Sequence, residues 1–218
     1  MVEIDRYMQA LLEKMRAHFG ERLRYMGLQG SFLRGEATEN SDIDVMVLLD
    51  DFSVADMDAY RQMLVEVGDF DKSCGFICGT EDFQHWNKLE LCHVLHTTKD
   101  YYGKLSDFIS DYSREDVRQF TLMSVNNVYH ALCHGYIHGG AAECYKNLPG
   151  LFKGCFFILQ SLTYLKTGEY VATKRELLEK LEGADKMVLE SSLGCRESDT
   201  EEAYRLLFDW CKQTIHDI

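Results

Sequence analysis

The sequence predicts an α+β chain in which a small mixed β-sheet domain is followed by an all-α helical bundle. Two patterns carry that prediction: apolar runs of strand length alternate with amphipathic helical stretches up to about residue 110, and beyond Ser113 only the helical period continues. Length agrees, since 218 residues suit one large domain or two small ones. The change of period places the division at 1–110 and 111–218; no Pro/Gly-rich linker, internal repeat or low-complexity tract marks it.

The elements follow in order. Ile4, Tyr7, Met8, Leu11, Leu12, Met15 and Phe19 recur at intervals of three and four, and Gly20 stands where a helix would stop. Leu23 to Leu28 and Ile43 to Leu49 read as strands flanking a tight loop that contains Gly30-Ser31. Ser53 caps a helix through Val67, and Lys72 to Cys78 reads as a third strand before Gly79. In the second part Val117 to Ile137, Leu151 to Leu165, Glu176 to Leu181 and Glu201 to Ile215 read as helices. Thr173-x-x-Glu176 and Ser198-x-x-Glu201 fit capping boxes, and Ser113 precedes an acidic first turn.

Composition limits function. At 46% hydrophobic with one proline, Pro149, the chain is too apolar to be disordered or collagenous. A net charge of −13 argues against a general binder of duplex nucleic acid, whose affinity comes from Lys and Arg on phosphates, so a polyanionic ligand would need a metal. The N-terminus lacks a basic region followed by an apolar one, and the longest apolar stretch, Cys155 to Leu165, is broken by Gln160, Ser161 and Thr163. A soluble, cytoplasmic protein without a membrane partner is expected. The eight cysteines lie in apolar settings and are read as reduced thiols; Cys74 and Cys78 have no second pair at zinc-site spacing.

The chemistry concentrates in residues 28–49. On a strand, Asp42 and Asp44 point to one side and Ile43 to the other. Paired carboxylates repel unless a cation lies between them, and oxygen ligands so spaced suit Mg²⁺ or Mn²⁺ held jointly with substrate phosphates. Glycine at position 30 lets a phosphate approach the backbone, and amides at a following helix start can donate to it.

Gly30-Ser31, Arg34-Gly35 and Ser41-Asp42-x-Asp44 before an apolar strand resemble the minimal nucleotidyltransferases of the DNA polymerase beta superfamily. The resemblance implies that Asp42 and Asp44 ligate metal and that Gly30, Ser31, Arg34 and Ser41 bind the nucleotide. It implies transfer of a nucleoside monophosphate from an NTP, AMP from ATP, to an acceptor hydroxyl with release of pyrophosphate. Residues 155–178 resemble the C-terminal helical domain of aminoglycoside nucleotidyltransferases, which makes Lys174 a phosphate-contacting candidate and a small-molecule, aminoglycoside-like acceptor the leading class.

The family pattern expects a third carboxylate midway along the third strand, where this chain has Phe76; Glu90 is the preferred replacement, with Glu81 and Asp82 as others. His130, His134 and His138 form an i, i+4 row on one helix, and His134 is the candidate general base; His93 and His96 lie elsewhere. An interhelical hydrogen-bonding stripe is the other reading of that row. Two further functional readings stand beside the main one: a catalytically weakened, nucleotide-binding regulatory protein, and a protein adenylyltransferase of toxin–antitoxin type. The Arg-x4–6-His signature of the ribonucleases paired with such enzymes is absent. The chain is expected to act as a monomer or homodimer.

Overall fold

The apolar positions of the opening helix all turn inward: Tyr7, Met8, Leu11, Leu12, Met15 and Phe19 are the buried residues of α1 (Ile4–Phe19). The computed structural model describes residues 2–194 and 200–218. It divides into two compact units, Met1–Asp111 and Tyr112–Ile218.

The first unit continues through β1 (Leu23–Leu28), the short α2 (Gly30–Arg34), β2 (Ile43–Leu49), α3 (Val54–Val67), β3 (Ser73–Gly79), α4 (Thr80–Gln84), α5 (Lys88–His96) and β4 (Lys99–Tyr102). The sheet order is β3-β2-β1-β4. β1 runs antiparallel to both β2 and β4, whereas β2 and β3 are parallel, their crossover being supplied by α3. Ile43, Val45, Val47 and Leu49 share one apolar cluster with α1 and with Tyr60 and Met63 of α3. On the other face, Phe83 of α4 is buried beside Phe76 of β3, with ring centroids 6.2 Å apart. The strand period thus buries one face of β2 under two helices and leaves Asp44 on the other.

Helix starts are fixed by local chemistry. At α3, Asp56 accepts from both the backbone N–H and the hydroxyl of Ser53, each at 2.8 Å, and receives Arg22 through two nitrogens at 3.1 and 2.8 Å.

The second unit is helical: α6 (Arg114–His134), a π-helical turn (Gly135–Gly139), α7 (Gly140–Thr167), α8 (Lys174–Lys180), α9 (Gly183–Ser192) and α10 (Thr200–Asp217). Ser113 and Asp116 form the capping box of α6, and Thr173 caps α8 by accepting from the Glu176 amide. The expected box at Ser198-x-x-Glu201 begins outside the described residues. The core gathers Val125, Leu132, Phe156, Leu159, Leu189, Leu207 and Trp210. One stretch within Arg114–Thr167 has the length and hydropathy to cross a membrane, and 56% of that window is buried within the protein. No disulfide joins the seven described cysteines; Cys195 lies outside them.

Three differences from the sequence reading have physical causes. β3 begins at Ser73 because Lys72 closes a 3₁₀ turn. α7 passes through Pro149 instead of starting after it, because Cys144 and Leu148, upstream of the proline, are buried and hold those turns in place. α4, α5, β4 and α9 are too short or too weakly patterned for periodicity to show.

Candidate functional site

The site begins where β1 ends. Gln29 donates its backbone N–H to the Asp44 carbonyl at 2.8 Å, joining the start of α2 to the start of β2. Its side-chain amide donates to the Thr98 hydroxyl at 2.8 Å, which fixes the same junction to the segment before β4. Gly30 then takes φ +70°, a conformation that L side chains rarely adopt, and a Cβ placed there would overlap the Asp44 carboxylate. Glycine is therefore required twice over, by the backbone angle and by the carboxylate seated against it.

Asp44 is half-buried and Asp42, immediately before β2, is exposed. In the parallel register Asp44 pairs with Cys74 and Met46 with Phe76, so Cys74 and Phe76 share the Asp44 face of the sheet. The Cys74 thiol is raised above its usual pKa, first by partial burial and then by the Asp44 charge; the Asp44 side chain also hydrogen-bonds it. Between them Gly75 has its α-carbon against the Val45 backbone, leaving no room for a side chain.

The other predicted residues fall as follows. Ser31 and Phe32 lie in the first turn of α2, where backbone N–H groups have no partner within the helix. Arg34 is 11% exposed and pairs with Glu36 at 3.0 Å. The Ser41 hydroxyl accepts from the Thr38 amide at 2.8 Å and so closes the turn before the acidic pair. Glu90 accepts the Trp86 indole N–H at 2.8 Å, and Trp86 meets Phe76 edge to face at 4.9 Å. Among the described residues, no three His, Cys, Asp or Glu side chains converge as a metal site.

His130, His134 and His138 are exposed in the second unit and their rings meet in a tilted row, with centroids 5.6 and 4.6 Å apart; His138 belongs to the π-helical turn. Lys174 opens α8 and lies over the Phe156 ring at 5.6 Å. In the first unit, burial and then the neighbouring His96 pull His93 down to about 4, so it is neutral at physiological pH.

The structure thus brings together Gly30, Asp44 and Cys74, and it joins Glu90 to Trp86 and Phe76. Cys74 and Trp86 were missed in the sequence. The signals were there: Cys74 stands two residues before Phe76 on one strand face, and Trp86 four residues before Glu90.

Two carboxylates two residues apart at the start of β2, beside the side-chain-free backbone of Gly30, suit a divalent cation carrying phosphate oxygens. Residues 8–110 match the family model described as "Nucleotidyltransferase domain". The chain superposes on the crystal structure of a spectinomycin adenyltransferase, AAD(9), from Enterococcus faecialis, solved with ATP and spectinomycin. The TM-score is 0.62 at 14% identity, over 96% of this chain and 98% of that one, a likeness of fold that takes in the helical second unit. No curated protein matches the sequence.

Proposed function

We propose that the protein, whose residues 8–110 match a nucleotidyltransferase-domain family model, transfers AMP from ATP to a hydroxyl of a small-molecule acceptor, with aminoglycoside-like compounds as the leading class. The observation that carries this reading is the Asp44 carboxylate seated against the bare α-carbon of Gly30. That contact supports a reading in which carboxylate oxygens able to ligate a metal lie beside a glycine backbone, which a phosphate can approach closely.

In this reading Asp42 and Asp44 hold Mg²⁺ or Mn²⁺ together with the triphosphate. The bound cation would supply positive charge to the phosphate oxygens as the bond to pyrophosphate breaks. Gly30 admits the phosphates, and the Ser31 and Phe32 amides and the Ser31 hydroxyl donate to them. Glu36 holds the Arg34 guanidinium in place as a fixed positive charge. The acceptor oxygen attacks the α-phosphorus in line, and its proton passes to a carboxylate or imidazole, for which Glu90 and His134 are the candidates. The acidic chain, at −13, favours a cationic acceptor. ATP as donor makes the cytoplasm the expected setting.

The test is transfer of α-labelled ATP, with Mg²⁺ or Mn²⁺, to a panel of aminoglycosides, other hydroxyl-bearing antibiotics and cell proteins. Label should move to a small molecule in the wild type and fall at least about a hundredfold in Asp44→Asn. Lys174→Ala, His134→Ala and Glu90→Gln in the same assay test the roles given to those side chains. A second reading, nucleotide binding without turnover, has Phe76 behind it, since β3 carries an aromatic ring on the acidic face. Stabilisation by ATP without any label transfer would favour it.

A further inference from the structure

We infer that the Asp42/Asp44 site holds a single divalent cation, the one that arrives with the nucleotide, and that an aromatic wall of Phe76 and Trp86 stands where ligands for a second cation would have to originate. This rests on the nucleotidyltransferase reading above.

Two divalent cations about 4 Å apart carry four positive charges and need a bridging anion plus further oxygen ligands on each side. The acidic pair supplies two negative charges, and nucleotide phosphates complete the shell of one ion. More protein oxygens would have to come from β3, the strand paired in parallel with β2 on the Asp44 side. Along that face β3 presents a thiol at Cys74 and a phenyl ring at Phe76, with glycine between them. A soft sulfur is a poor ligand for a hard cation, and the ring offers none.

Glu90, the carboxylate expected to compensate, is engaged elsewhere. It accepts the Trp86 indole N–H at 2.8 Å, and Trp86 packs edge to face on Phe76 at 4.9 Å. Phe83, 2% exposed, lies behind the pair at 6.2 and 6.5 Å from the two rings. Glu90 therefore anchors the wall through Trp86. Cys74 is the side chain that hydrogen-bonds Asp44, and among the described residues no group of three or more His, Cys, Asp or Glu side chains is arranged to hold a metal ion.

The experiment counts Mn²⁺ on the full-length protein saturated with α,β-methylene-ATP, by electron paramagnetic resonance, which also distinguishes an isolated ion from a close, exchange-coupled pair. One ion per chain with an isolated-ion spectrum is expected, unchanged in Glu90→Gln and raised to a coupled pair in Phe76→Glu. Two ions in the wild type, or a count that falls in Glu90→Gln, would overturn the single-cation inference and leave the nucleotidyltransferase site standing. A folded Phe76→Glu variant that still binds one ion would overturn the assignment of position 76. Mn²⁺ retention no greater than that of Asp44→Asn would overturn the site itself. Should Phe76→Glu fail to fold, the wild-type and Glu90→Gln counts still decide the matter.

Discussion

Gly30 concentrates the demands of the site in one residue, because its positive φ lets α2 begin and its missing side chain leaves room for Asp44. Gly30→Ala should therefore cost stability, roughly 1–2 kcal/mol from the backbone angle alone, and should also push the Asp44 carboxylate aside. The expected outcome is a melting temperature lower by a few degrees and loss of the further stabilisation that Mg²⁺-ATP gives the wild type. A variant stabilised by Mg²⁺-ATP as strongly as the wild type would show that the Gly30–Asp44 contact does not build the nucleotide site. This part was legible in the sequence because its chemistry is local: Gly30, Ser31, Asp42 and Asp44 fall within fifteen residues and their spacing alone sets strand face and turn. The Cys74 and Trp86 contacts were not legible, because they depend on which strands pair and in which register.

At the scale of elements, α3 shows how a helix start is made to serve the fold. Asp56 is 6% exposed, caps the helix through Ser53 and receives the guanidinium of Arg22, which stands just before β1. The Arg22 hydrogen bonds, and then those from Ser53, hold its carboxyl at about 2 against the opposing effect of burial. A carboxylate depressed in the folded state stabilises above the unfolded pKa, and that contribution is lost as pH falls from about 4 through about 2. With Arg22 partly in solvent the contribution is about 1–2 kcal/mol. Asp56→Asn should melt a few degrees below the wild type at pH 7, and the gap should narrow below about pH 4 and close only near pH 2; a gap independent of pH would mean that the charge contributes nothing. Sequence reading placed α1, β1, β2 and α3 at their observed ends because strong periodicity and caps agree there. It began the long helix only after Pro149, at Leu151, where local propensity is overruled by the burial of Cys144 and Leu148. Gln160 looked like an interruption of an apolar run. It is instead fully buried, donating to the Val171 and Ala172 carbonyls at 2.7 and 3.2 Å, and so pins the segment before α8.

Over the whole molecule the polar chemistry and the apolar packing are distributed differently. Each unit encloses its own cluster of buried side chains: that of the first is built on α1, β1, β2 and α3, and that of the second on α6, α7, α9 and α10. A unit with a closed core can lose stability locally without passing the loss on, because hydrogen exchange reports opening unit by unit. Leu159, fully buried in the middle of α7, is the position to probe. Leu159→Ala removes several methylene groups from a packed interior and should cost about 2–5 kcal/mol, depending on how far the surrounding side chains collapse into the cavity. The prediction is that amide protection measured by hydrogen–deuterium exchange falls across residues 112–218, while the amides of β1, β2 and β3 keep their wild-type protection. An equal fall in both units would mean that the chain unfolds as one cooperative body. The stability of the Gly30–Asp44 arrangement would then depend on the helical core as much as on its own sheet.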